Sequence, residues 1–202
     1  MSNIKWMDYS GSPGLMIPVS LLGFWGGFYV PMENEKRPDL MLGDGRQFRV
    51  CDDFDFENPQ TDYDRICARA NSGGESHFLY PVGPSQALVI ADCQDGTIVW
   101  WADQKVVVTA SYRHLPDPGC LDQLEWSNEV RWNVTEKRLV LINSCVHGAN
   151  ANEEEDEFTE VELEPGVYSV TSAWVREHHV MVYRFRCMAN LRESDIRGHD
   201  ES

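Results

Sequence analysis

Segment after segment of this chain alternates apolar with polar side chains in steps of two, in runs rich in Val, Ile, Tyr and Trp. A period of two belongs to the extended strand, whose successive side chains point to opposite faces. β-Branched and aromatic residues suit that pleated surface. Strands are expected near residues 15–19, 47–51, 87–92, 97–101, 105–113, 129–134, 138–143, 159–163, 167–175 and 180–187. Gly and Pro punctuate them at 81–84, 95–96, 116–119 and 165–166. One helix is predicted over 62–70, where Thr61 or Asp62 can cap it and Tyr63, Ile66, Cys67 and Ala70 form one apolar stripe. A shorter helical turn is expected at 120–126. The fold class is therefore mostly β, a β-rich α+β chain of two packed antiparallel sheets or sandwich-like units with one or two short helices. Residues 1–191 read as one β-rich domain and 192–202 as a polar tail.

Two stretches echo each other. Leu88-Val89-Ile90-Ala91-Asp92 resembles Leu139-Val140-Leu141-Ile142-Asn143, and Val108-Thr109-Ala110-Ser111-Tyr112 resembles Val170-Thr171-Ser172-Ala173-Trp174. The second spacing is longer, largely by the acidic stretch after Gly148. The echoes fit either an internal duplication, with units near 46–135 and 136–188, or chance likeness among strands.

The chain carries 33 acidic and 17 basic residues in 202, a formal charge of −16. Such a surface does not grip nucleic acid phosphates or an anionic membrane. It suits a basic partner, a small neutral ligand or plain solubility. The apolar run at 14–30 is shorter than the ~20 residues of a spanning helix and is broken by Pro18, Gly23, Gly26 and Gly27. It reads as a buried strand followed by a Gly-rich turn with Trp25 packed beneath it, and it lacks the basic start and cleavage site of a signal peptide. The six cysteines form no C-x-x-C pair. They read as reduced thiols of a cytoplasmic protein, with three disulfides as the alternative.

The charge is concentrated. Asp52, Asp53, Asp55 and Glu57 form one row, which in an extended segment would place the carboxylates of Asp53, Asp55 and Glu57 on one side, successive ones roughly 6.6 Å apart. Metal site, contact with a basic partner and solvated face are the readings of that row. Glu153, Glu154, Glu155, Asp156 and Glu157 form a second run, continued by Glu160, Glu162 and Glu164 alternating with Val161 and Leu163. That run is either a solvating loop and outer strand face or an electrostatic docking surface. Arg65 could pair with the neighbouring acidic row. No catalytic constellation stands out. Cys145 and His147 lack a protease signature, no zinc spacing exists, and Gly43-Asp44-Gly45 is too short for a phosphate loop. No cofactor and no metal are expected.

Several separated motifs resemble a known family when taken together. They are S-P-G-L-M-I-P-V-S-L-L with G-F-W-G-G (12–27), T-D-Y-D-R-I-C-A (61–68), Y-P-V-G-P-S-Q-A-L-V-I-A-D (80–92), R-L-V-L-I-N-S-C-V-H-G (138–148) and V-E-L-E-P-G-V-Y-S-V (161–170). In this order they resemble the immunity protein 21 family of bacterial polymorphic toxin systems, over roughly 12–185. The last element also resembles a small inhibitor of a competence nuclease. The acidic insertion at 150–157 and the polar tail depart from the family pattern. The resemblance implies a cytoplasmic, non-enzymatic protein that binds and silences a toxin made beside it, in systems of the kind that type VI secretion serves. It offers no catalytic residues. The acidic rows would meet a basic, nuclease-type toxin, and Trp100, Trp101 or Trp126 would anchor the interface unless they pack in the core. A monomer or weak homodimer is expected. The alternative is a small-ligand-binding or enzymatic β-sandwich.

Overall fold

The computed structural model describes residues 4–8, 12–32, 40–41, 47–50, 55–91, 97–101, 106–110, 118–148, 158–177 and 180–190. The strands are β1 (Ile4–Asp8), β2 (Gly14–Pro18), β3 (Tyr29–Met32), β4 (Leu40–Met41), β5 (Gln47–Val50), β6 (His77–Val82), β7 (Ser85–Ile90), β8 (Thr97–Trp101), β9 (Val106–Ala110), β10 (Ser127–Val134), β11 (Arg138–Asn143), β12 (Phe158–Glu162), β13 (Gly166–Val175) and β14 (Val180–Asn190). The helix α1 spans Asp62–Gly73, and 3-10 turns lie at Val19–Phe24 and Pro118–Gln123. A six-stranded sheet has the order β1-β8-β9-β14-β13-β10, and a five-stranded sheet has β12-β11-β2-β7-β6. A small third sheet has the order β3-β5-β4. The pairings are antiparallel.

The two large sheets stack through side chains of alternate parity. Trp132, Val134, Tyr168, Val170, Tyr183 and Phe185 from the six-stranded sheet meet Met16, Leu88, Ile90, Leu139, Leu141 and Val161 from the five-stranded one. The intervening residues of the five-stranded sheet, Leu15, Ile17, Val89, Val140 and Ile142, face the other way and are covered by Ile66 of α1, by Leu21 and Leu22 of the first 3-10 turn, and by Trp25. This explains why β2, Leu88 to Ile90 of β7 and Leu139 to Asn143 of β11 read as unbroken buried runs. Burying a Leu, Ile or Val completely is worth about 1.5–3 kcal/mol. The six-stranded sheet has a smaller outer cluster, where Leu121 meets Val175, Val180 and Val182. The sheet edges also approach one another, β1 against β12 and β10 against β6.

Helix α1 starts at a full capping box. Thr61 Oγ1 accepts from Asp64 N at 2.9 Å, and Asp64 Oδ2 accepts from Thr61 N at 3.1 Å. It runs three residues past the predicted end and stops at Gly74, whose φ of 61° is the left-handed cap. Four strands lay outside the sequence expectation. β6 and β3 contain Pro81 and Pro31, which lack a donor for the ladder, and both strands lie at sheet edges where that lack is tolerated. β1 is a short edge strand, and β4 has two residues. The predicted turn at 120–126 is the 3-10 turn Pro118–Gln123, which ends before Trp126.

β7 and β11, which carry the first echo, flank β2 on either side and send Leu88, Ile90, Leu139 and Leu141 into the same core. β9 and β13, which carry the second, flank β14. There Val108 pairs with Val182 and Val170 with Phe185, so the second echo is out of phase along the shared partner. Among the described residues no helix is long and apolar enough to cross a membrane. Among the described residues Cys67, Cys145 and Cys187 carry reduced thiols. Burial pushes the Cys67 thiol up to about 11, which keeps it protonated.

Candidate functional site

At one end of the five-stranded sheet, three separated segments tie into a knot around Trp25, Gly26 and Gly27. Gly148 donates its N–H to Trp25 O at 2.9 Å, Phe28 N donates to Cys145 O at 3.3 Å, and Tyr63 N donates to Gly27 O at 3.0 Å. The Trp25 indole donates to Ser144 O at 3.2 Å, and Gly26 N donates to Asp62 Oδ2 at 3.3 Å. Tyr29 stands edge-on to His147 with centroids 4.7 Å apart. The glycines are steric requirements. Gly27 has φ of 57°, and a Cβ there would lie 2.5 Å from Cys145 O. At Gly148 a Cβ would lie 1.8 Å from Leu22 O. Tyr63 packs beside the knot, and burial pushes its phenol up to about 12, so its hydroxyl stays protonated 3.3 Å from Ser12 Oγ.

Both acidic segments are rooted here. The chain leaves Gly148 for the acidic run and returns at Phe158, which pairs with Ile142 of β11. The other row leads directly into α1. Asp52, Asp53 and 153–157 lie outside the described residues. Asp55 and Glu57 are described and exposed, and here the extended-row geometry is corrected. Residues 56–58 form a bend, because Asp55 Oδ1 accepts from Glu57 N at 3.0 Å and from Asn58 N at 2.9 Å. The Asn58 amide holds the Asp55 carboxyl below its ordinary range. The bend exposes Phe56, whose ring lies 6.4 Å from Tyr63. Arg65 pairs with Asp62 at 3.1 Å, within its own helix.

Beyond the second run, Glu160, Glu162 and Glu164 are exposed while Thr159, Val161 and Leu163 are buried, as the alternation required. Neighbouring cations meet these glutamates. Arg138 bonds Glu160 at 2.7 Å, and Lys137 Nζ lies 2.9 Å from Glu164 and 3.9 Å from Glu162. The Glu164 hydrogen bond holds the Lys137 ammonium above its ordinary value. Such exposed pairs add little stability, but they mute the charge of this strand. Trp126 is half-buried. Its indole donates to Leu121 O at 3.3 Å, and the Arg184 guanidinium lies 3.9 Å above its ring. It roofs the outer cluster of the six-stranded sheet. Trp100 and Trp101 lie on β8, and their side chains fall outside the described residues.

The motifs G-F-W-G-G, T-D-Y-D and S-C-V-H-G thus converge on one knot. The family model of immunity protein 21 matches residues 5–180. The chain belongs to the immunity protein 21 family. No curated protein and no solved structure matches it. As an immunity protein it serves a toxin system. Among the described residues no group of three or more His, Cys, Asp or Glu is placed to hold a metal ion.

One polar cluster in this immunity protein was missed by sequence reasoning. Ser76 Oγ lies 3.0 Å from His77 Nδ1 and 2.7 Å from Ser172 Oγ, deep between the sheets. His77 Nε2 lies 3.0 Å from Val170 O, and Tyr183 donates to Ser76 O at 3.1 Å. A lone Ser-His pair at a strand start has no pattern to reveal it, because its partners come from β13 and β14. Burial pushes the His77 imidazole below its ordinary value near 6.5, with Val170 O and the Glu75 charge opposing. Below pH 6.5 the unfolded chain binds this proton and the folded chain resists it, so stability falls with pH there and this group is neutral to stability above. The slope approaches about 1.4 kcal/mol per pH unit at most. Urea midpoints at pH 7.5 and 5.5 are expected to differ less in His77→Gln than in wild type. Equal differences would mean that His77 takes up no such proton.

Proposed function

We propose that this immunity protein neutralises a cognate nuclease-type toxin by stoichiometric binding. The acidic segments rooted at the Trp25–Gly27 knot would lie in the toxin's basic cleft. The observation that carries the reading is the common root: Gly148, Phe158 and the start of α1 meet at one end of the sheet. Charge held on one end of a rigid scaffold steers a basic partner and fixes its register. Asp52, Asp53, Asp55, Glu57 and 153–157 would supply the acidic contacts. Phe56, exposed between Asp55 and Glu57, is a better placed aromatic anchor than Trp126, which is engaged with Leu121 and Arg184. The complex forms in the cytoplasm with a single copy of this chain per toxin.

The test is co-expression with the toxin encoded beside it. Growth rescue with co-purification at one-to-one stoichiometry is expected, together with loss of nuclease activity in the purified complex. A toxin that stays active in the presence of excess protein overturns the reading.

A further inference from the structure

A cavity of about 390 Å³ opens at the far end of α1, lined by Ala70, Glu75, Ser76, Ala91, Asn128 and Met181 among others. We propose that Ser76, with His77 and the Val170 carbonyl, is a nucleophilic serine centre that takes small acyl esters from this cavity. Proton positions follow from the acceptors. A carbonyl only accepts, so His77 Nε2 carries the hydrogen and donates it to Val170 O at 3.0 Å. In the neutral ring Nδ1 then holds a lone pair, and it accepts the Ser76 hydroxyl proton at 3.0 Å. With that proton committed, Ser172 donates to Ser76 Oγ at 2.7 Å, and the Asn128 amide points at the same oxygen from 3.5 Å. The nucleophile is bonded to a base, the base is oriented by a fixed acceptor, and the nucleophile borders a cavity.

The surroundings favour this chemistry. Ser76 is 7% exposed, so its hydroxyl is reached through the cavity. Asn128 has φ of 56° at the register shift where β10 leaves β13, a strained backbone that turns its side chain to the cavity. Ala70, Ala91 and Met181 make an apolar seat for a short acyl chain. In the reaction the Ser76 oxygen bonds to the ester carbonyl carbon while its proton passes to Nδ1. Ser172 and the Asn128 amide, both within reach of Ser76 Oγ, hold that oxygen in position at the cavity. Collapse breaks the bond to the alkoxide, which leaves with the proton from Nδ1. Water then attacks the acyl-serine through the same base, releasing the acid and restoring the Ser76 hydroxyl.

The experiment uses the full chain, without toxin, and an alkyl fluorophosphonate, whose fluoride leaves as Ser76 Oγ bonds to phosphorus. One equivalent is expected on Ser76 by intact mass and peptide mapping, and none in Ser76→Ala. His77→Gln should slow labelling on the order of 10²-fold or more. Should that variant fold poorly, the wild-type labelling rate decides instead: it should rise with pH through the imidazole titration and then level off. Hydrolysis of para-nitrophenyl acetate should follow the same profile. No label on folded wild type, label retained in Ser76→Ala, or a rate with no imidazole titration each overturns the proposal. The outcome leaves toxin neutralisation to its own test.

Discussion

Gly148→Ala is expected to be the most damaging small substitution in the described chain, costing at least about 3 kcal/mol, at the upper end of what overpacking does. The added methyl would lie 1.8 Å from Leu22 O and 2.6 Å from Leu22 C. These are backbone atoms of a 3-10 turn whose Leu21 and Leu22 are packed against the five-stranded sheet, so neither side can yield without unseating the turn. The shift would also stretch the Gly148 N–H bond to Trp25 O. Gly74→Ala is the control. Its φ of 61° strains any side chain, but nothing lies within 4 Å of a Cβ there. Left-handed backbone alone costs roughly 1–2 kcal/mol. Urea unfolding of the two variants compares a steric clash with a conformational one. If Gly148→Ala loses no more than Gly74→Ala, the knot is not the tight junction described.

Reversing the five charges of 153–157 to lysine is expected to slow toxin association by roughly 10- to 10³-fold at low salt. In the proposed complex, reversal would remove steering and replace it with repulsion. The effect should shrink as ionic strength rises, because the screening length falls to about 10 Å at 0.1 M. Reversing Glu160 and Glu162 should do less, since Arg138 and Lys137 already meet those carboxylates. Stopped-flow association at two salt concentrations separates the cases. Equal association rates for wild type and the five-charge variant would remove the acidic run from the docking surface and leave neutralisation by another face.

Most strands of the two large sheets were legible because period-two alternation is a local signal, and β2 and β7 to β14 each fall on a predicted run. β6 was masked by Pro81, which the sheet tolerates because the strand is at its edge. The helix was legible from Thr61 and the stripe through Ile66, and its longer end was set by the left-handed Gly74. The knot was illegible for a physical reason. Its main ties are backbone bonds from Gly148 to Trp25, Phe28 to Cys145 and Tyr63 to Gly27, and backbone groups leave no trace in side-chain patterning. Sequence reading marked Gly27 as a turn residue, whereas Gly27 and Gly148 are points of close approach between distant segments. The acidic row misled differently. Its charge was visible, but the Asp55 carboxylate is spent on Glu57 and Asn58 N–H groups, a local competition that alternation cannot foresee.

The central place of β2 sets a clock on its own burial. This strand is synthesised before both of its neighbours, is buried along its whole length, and has β7 on one side and β11 on the other. At about 5–20 residues per second, a ribosome takes roughly 7–27 s to pass from β2 to Gly148. Through that interval Leu15, Met16 and Ile17 have at most one of their two neighbours. A nascent copy therefore leaves this apolar strand uncovered on one side until β11 has been made.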